Sequence, residues 1–532
     1  MTAPKALPIV IVGGGHNGLI AAALLAKAGL RTLVLERGDR VGGCAATSTI
    51  APGFRSPALA HRAAIDPMVM RALDLERHGL RIAKGDARLC APTLEGRALT
   101  LWNENARAAG EVATFSARDA GQYPRFLESV AGVSRVLRPL MADAPPDIQN
   151  PRATDLLSVL RTTRTFRGLG RTNAYRLLRW MAMPAADLIH EWFESEPLCG
   201  ALAAEGVLGS FLGPRSPGSA AVLLLRGAGE GQPVAPGWMV QGGLGALSDA
   251  LAAAAREAGA HIRVGADVRR IAIASGSATG VVLDSGEEVS ARLVVSNLDP
   301  RHTLLGLVDP VHLPAPFVHG IRNIRMRGTL SKVNYAVAAV PRFGGLSTLE
   351  AIGQARALSG CVRLCRDLTA MERAFDAAKY GRFSEEPWIE LTIPSIGDPD
   401  LAPAHQHVVS AYVQFTPYEL RGTTWDVERE RLGDLVTRTI DAYAPGFERS
   451  VLARQVVTPL DLERTYGLTG GQIFQGEIAL DQWLVARPLF GWARYRTPIR
   501  NLFLCGVGTH PGTGLDGRSG ALAAREIIKA AM

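Results

Sequence analysis

The chain has 532 residues, 47% of them hydrophobic and 20% charged, with a formal net charge of +8. That length exceeds what one core fills, so two intertwined domains are expected, and the composition excludes a disordered chain. The basic excess is mostly arginine scattered among acids, with no nucleic-acid module, which argues against a nucleic-acid partner and toward an anionic cofactor or a membrane surface.

Residues 6 to 26 carry no charged side chain and follow Lys5, a pattern that imitates a leader or a membrane span. The run Gly13-Gly14-Gly15-His16-Asn17-Gly18 in its middle suits neither. The same residues read naturally as strand, turn and helix. Ile9-Val10-Ile11-Val12 is a β-branched, fully apolar run of the kind found in buried parallel strands. An Ala/Leu-rich helix follows over 19–28 and stops at Gly29. Thr32-Leu33-Val34-Leu35 makes the second strand, and Glu36 ends it.

Gly13-x-Gly15-x-x-Gly18 thus falls at a strand-to-helix turn, where each glycine has a task. The first permits the tight turn, the second lets backbone approach a pyrophosphate, and the third lets helix and strand pack closely. The helix start, with His16 and Asn17, turns free N–H groups and a positive dipole end toward the phosphates. Glu36 is placed to accept hydrogen bonds from ribose hydroxyls.

Residues 41–65 read as a Gly- and Pro-punctuated loop. It begins with Arg40-Val41-Gly42-Gly43-Cys44-Ala45, a second glycine pair that can bring amides to a diphosphate from the opposite side. From 120 to 205 the pattern is helical, with Arg161, Arg164, Arg167, Arg171, Arg176 and Arg179 interleaved with Leu, Phe and Trp. That run is either a solvated helix face or a basic surface that touches lipid. Gly242-Gly243-Leu244-Gly245 precedes a helix over 247–258, and reads as a helix-entry turn better than as a second dinucleotide site. Strands are expected at 261–264, 268–273, 279–284 and 292–296, the middle ones forming a meander. Residues 320–460 mix strands and helices. Near the end a strand over 502–505 leads into Gly506-Val507-Gly508-Thr509-His510-Pro511-Gly512-Thr513-Gly514-Leu515, and a helix follows over 518–530.

The six cysteines form no C-x-x-C, so neither a redox dithiol nor a zinc ribbon is supported, and a reducing, cytoplasmic setting is expected. His405-x-His407 lacks further ligands, so no metal is expected.

The first unit alone does not separate FAD from NAD. A second glycine-lined helix opening, at 506–517, suits FAD, whose long body needs support at both ends. The matching strings VIVGGGHNGLIAAALLAKAG (10–29), LERGDRVGGCAAT (35–47), VVSNLDP (294–300), GLTGGQIFQGEIALDQ (467–482) and LFLCGVGTHPGTGLDG (502–517) are spread over nearly the whole chain. The sequence resembles the phytoene-desaturase-related branch of the FAD-dependent, amine-oxidase-like flavoproteins. The resemblance implies that Gly13, Gly15 and Gly18 hold the diphosphate and Glu36 the adenosine ribose. It implies that Arg37, Gly42, Gly43 and Ala45 line the diphosphate and ribityl region. Val268 would contact adenine through its backbone, with Gly506, Gly514 and Leu515 beside the ribityl chain and flavin. Cys44 stands where carotenoid desaturases usually have arginine, a departure that weakens direct transfer of carotenoid chemistry.

The expected fold is α/β: a Rossmann-type FAD-binding domain from residues 1–115, 230–310 and 460–532, with a mixed α/β substrate domain from 116–229 and 311–459. The expected activity is FAD-dependent dehydrogenation, isomerisation or saturation of a small apolar, polyene or lipid-like molecule. With no NAD(P) site found, oxygen or a quinone is the expected electron acceptor. An amine oxidase, which needs an aromatic pair beside the flavin (Trp238, Trp483 and Trp492 being candidates), and an interaction protein with structural FAD are the alternatives. His510 is the candidate proton carrier, with loop stabilisation as its other reading; His61 is read as structural.

Overall fold

The computed structural model describes residues 7–531 apart from 84, 148–150, 152, 230–232, 236 and 348, without the side chains of 153–158 and 161. Lys5, Pro236 and the Arg161 side chain fall outside these residues.

Five parallel strands form one sheet, in the order Leu502–Leu504, Leu293–Ser296, Ile9–Val12, Thr32–Leu35, His261–Arg263. They come from the beginning, middle and end of the chain. Ile9–Val12 is central and buried along its length, as an uninterrupted apolar run requires when both faces are covered. Helix His16–Lys27 packs against helices Leu244–Glu257 and Arg518–Ala531. The contact with the last helix is close: a Cβ on Gly520 would lie 2.3 Å from the Asn17 carbonyl, and one on Gly517 would lie 2.5 Å from Ile20. Strands Val268–Ala274, Ser277–Leu283 and Glu288–Ser290 form the antiparallel meander expected from the turns at Gly276 and Gly286.

A second sheet has seven strands, in the order Val451–Val457, Leu330–Val337, His407–Gln414, Trp388–Thr392, Cys361–Leu364, Ala87–Pro92, Ala98–Trp102. Only the Cys361–Leu364 pairing with Ala87–Pro92 is parallel. The sequence-based division places residues 1–115 with the dinucleotide unit. The pair of strands between 87 and 102 belongs to the other sheet, because an apolar strand pattern records burial and not the identity of the neighbour. Residues 41–65 also contain more than loop: Thr47–Ala51 and Phe54–Pro57 form a short antiparallel pair.

Helices between 105 and 228 cover the second sheet. Ala117–Ala142, Gly170–Ala182 and Ser219–Ala228 share one apolar core with strand residues Leu89, Leu101, Trp388 and Tyr412. Among the described residues no helix is long and apolar enough to cross a membrane.

Candidate active site

The glycine readings acquire geometry at the end of the first strand. Gly13 has φ +94, and its N–H donates to the Leu35 carbonyl at 2.8 Å, which fixes the tight turn. A Cβ on Gly18 would stand 2.3 Å from the Gly13 carbonyl, so the helix lies against the turn as closely as backbone allows. The Glu36 carboxylate accepts from Gly14 N–H at 2.7 Å and Gly38 N–H at 2.9 Å, and is thereby held at the strand end.

The second glycine pair closes on the first. Gly42 N–H donates to the Gly14 carbonyl at 2.9 Å, and Gly15 and Gly42 form an isolated bridge. A Cβ on Gly43 would lie 3.7 Å from the Gly15 Cα, inside the space between the two turns. Ala45 is buried, and its carbonyl accepts from the Ser248 hydroxyl, while Thr47 Oγ1 accepts from Gly245 N–H at 2.9 Å. The Gly242–Gly245 segment therefore braces this turn, with Gly243 capping the helix that follows.

The C-terminal loop arrives at the same place. The Gly514 backbone and the Asp516 carboxylate lie against the His16 imidazole and offset part of the effect of burial, which still pushes that ring down to about 4. Asn17 Oδ1 accepts from Gly520 N–H at 3.0 Å, and the Leu515 carbonyl accepts from Ala64 N–H at 2.9 Å. The two glycine-lined helix openings thus converge.

They open on a cavity of about 530 Å³. Of the residues singled out from sequence, Gly13, Gly15, His16, Glu36, Arg37, Gly42, Gly43, Cys44, Val268, Gly514 and Leu515 line it. Asn17, Gly18, Ala45 and Gly506 do not; they hold its walls. A Cβ on Gly506 would strike Gln475 Oε1 at 2.5 Å and the Asn297 carbonyl at 2.6 Å. Arg37 reaches over the cavity mouth to the Thr465 carbonyl at 2.6 Å. Burial raises the Cys44 thiol to about 12, so it enters as a neutral apolar group. All six cysteines are free thiols.

His510 stands apart from these residues. It lies outside the cavity lining, fully buried, and burial pushes its imidazole down to about 3. Its backbone carbonyl accepts from Tyr495 Oη at 3.0 Å and Ser519 Oγ at 3.1 Å. Trp238, Trp483 and Trp492 are not among the residues that line the cavity, whereas Tyr412, Tyr466 and Phe474 are.

Sequence reasoning missed the inner end of the cavity. Strands Cys361–Leu364 and Trp388–Thr392 place Arg363 directly opposite Glu390, and the Arg363 Nε donates to Glu390 Oε2 at 2.8 Å. Arg363 also binds Glu205, whose Oε1 accepts from Ala235 N–H at 2.7 Å. Arg226 and Arg62 join this group on the cavity wall. Arg363 and Arg226 thus contact Glu205, Arg363 also contacts Glu390, and Arg62 donates to the Ala235 carbonyl on the same wall. Each of Glu205, Arg226, Arg363 and Glu390 is a lone charge inside an apolar run, a signal legible in hindsight because such a group is rarely buried without a partner. Beside them His61 stacks on Tyr412, ring centroids 3.7 Å apart, and both imidazole nitrogens are buried without a partner among the described residues. Burial, then the charges of Lys332 and Arg62, push the His61 ring well below its ordinary range, so it is neutral. Tyr412 Oη accepts from His61 N–H at 3.1 Å. Asn297 and Gln475 also face the cavity without having been assigned from sequence.

The residues present fit FAD. Side chains at Gly15 and Gly43 would fill the cradle between the turns, the helix start offers its amides, and His16 Nε2 is buried there without a partner among the described residues. Two family models match the chain: NAD(P)-binding Rossmann-like domain over residues 11–73, and flavin containing amine oxidoreductase over residues 194–528. The chain belongs to the flavin-containing amine oxidoreductase family. Within reach of this family, pyridine nucleotide-disulfide oxidoreductase domain-containing protein 2 of Rattus norvegicus is 39% identical over 98% of this chain and 93% of its own length. Phytoene desaturase (lycopene-forming) of Pantoea ananas is 23% identical over 97% of both chains. A putrescine oxidase structure superimposes with a TM-score of 0.60 at 15% identity, covering 99% of this chain and 98% of that one, a likeness of fold. The protein is an FAD-dependent oxidoreductase.

Proposed function

We propose that the enzyme dehydrogenates a small molecule with an apolar body, and that oxygen or a quinone takes up the electrons. The observation that supports this reading is the cavity itself: it runs from the glycine turns to a wall made by Leu59, Leu208, Ile473, Phe474 and Val507. Bound FAD supplies the two-electron acceptor. The chain's own residues grip the dinucleotide with the backbone of Gly13, Gly15 and Gly43, exclude water with the apolar wall, and orient the substrate against it.

The amine-oxidase reading is less well supported. A substrate ammonium at the inner end would face Arg62, Arg226 and Arg363 against only Glu205 and Glu390, and like charges repel there. The test is anaerobic: purified protein with its flavin is offered unsaturated terpenes and polyenes, then primary amines, while visible flavin absorbance is followed. Bleaching by the first group is expected. Bleaching by amines alone, an inert flavin throughout, or rapid reduction by NADPH would each defeat the corresponding part of the proposal.

We further propose that helices Ala153–Gly168 and Gly170–Ala182 offer a surface to membrane lipid. Tyr175 and Leu178 are 64% and 68% exposed among the exposed Arg164, Arg167, Arg171 and Arg179. Exposed apolar side chains flanked by arginines suit an anionic interface.

A further inference from the structure

The inner end of the cavity carries charge that its own residues do not balance. Arg363 is saturated: its donors go to Glu390, Glu205 and the Ala201 carbonyl. Arg226 is not. Its contacts with Glu205 are long, 3.5 Å to Oε2 and 3.4 Å to the carbonyl; Arg62 donates to the Ala235 carbonyl, while its Nε and Glu205 Oε2 are buried without a hydrogen-bond partner among the described residues. Behind Tyr412, the fully buried Lys332 donates to the Leu59 carbonyl, and burial pushes its ammonium well below its ordinary range, so the surplus rests on the guanidiniums. A surplus cation shielded from water is costly until an anion joins it.

Two features say where that anion would go. Arg226 lines the cavity, and a guanidinium fork matches the two oxygens of a planar carboxylate. His61, on the same lining, keeps both ring nitrogens unpartnered at 4% exposure, and a neutral imidazole donates one N–H. Tyr412 links the two, stacking on His61 and feeling the charge of Arg226.

We propose that the substrate is amphipathic: its apolar body lies along Leu59, Leu208 and Phe474, and its far end is a carboxylate seated on Arg226 with His61 as second donor. This rests on the reading of the cavity as the substrate site, and it narrows the substrate class from apolar molecules to apolar carboxylates. The fixed head would set which carbon of the chain lies nearest the cofactor, as any anchored end does.

The test measures binding, independently of turnover. Flavin-loaded protein is titrated with decanoate, with its neutral counterpart decanamide and with decyl phosphate, following perturbation of the visible flavin bands and, separately, heat of binding. Decanoate should bind at least about tenfold more tightly than decanamide, and Arg226→Met should abolish that difference while Arg226→Lys keeps part of it. Equal affinities for the acid and the amide, or a preference that survives Arg226→Met, overturn the proposal; so does a clear preference for the phosphate. Should Arg226→Met not retain flavin, His61→Leu replaces it, with the same loss of preference expected and its absence counting against the anchor. Failure here with bleaching by neutral polyenes leaves the dehydrogenase reading standing. Carboxylate binding through Arg226 on a flavin that nothing bleaches has the opposite meaning.

Discussion

A methyl group at Gly18 would sit 2.3 Å from the Gly13 carbonyl, so Gly18→Ala must lift the first helix off the turn that holds the cofactor. The expected outcome is a loss of about 1–3 kcal/mol in stability together with a lower flavin-to-protein ratio. Thermal unfolding and absorbance of the purified variant check it, and wild-type values in both would remove the close-packing role. His510 makes a second, pH-dependent prediction. Its imidazole drops from 6.5 to about 3 on burial, so between those values the unfolded chain binds a proton that the folded chain refuses. Stability is therefore complete above pH 6.5 and declines as pH falls toward 3, by about 2 kcal/mol at pH 5 from this residue alone. Denaturant titrations at pH 7 and pH 5 should show a shallower decline in His510→Leu than in the parent. An unchanged decline would mean that other groups carry the acid limb. The glycines were legible in the sequence because each answers a local demand of backbone geometry. His510 was not, since a loop sequence does not reveal on which side of the loop a ring falls. Arg226, Arg363, Glu205 and Glu390 come from four separate segments, and only folding brings them to one wall.

Elements differ in how plainly they announce themselves. Ile9–Val12, Thr32–Leu35 and Leu502–Leu504 are short apolar runs beside glycine turns, and the parallel sheet they build followed from that pattern. Thr47–Ala51 has no fully buried residue and no clean alternation, which hid it inside a presumed loop. The arginine-bearing helices between 153 and 182 leave two readings that amphipathicity alone does not separate. Flotation with vesicles decides: the protein should rise with anionic phosphatidylserine vesicles, less so in high salt, and the double variant Tyr175→Glu, Leu178→Glu should stay behind. Equal recovery with neutral and anionic vesicles, or none with either, returns these helices to the solvated reading.

At the scale of the molecule, the sequence disclosed the partnership of distant segments and concealed their boundaries. Residues 87–102 lie within the first glycine-rich stretch of chain yet complete the far sheet, where Leu89 pairs with Cys361. The interleaving means that neither sheet can be cut out as a continuous piece. It also orders events in time. The cradle's last wall is Gly514 and Leu515, and the helix that pins them to Asn17 begins at Arg518. A ribosome delivers that segment hundreds of residues after the first strand, turn and helix, so until it emerges the cradle lacks this wall. Flavin loading should then wait for both openings to be made, and a chain cut short before Gly514 is expected to be colourless however well its first strand, turn and helix have formed.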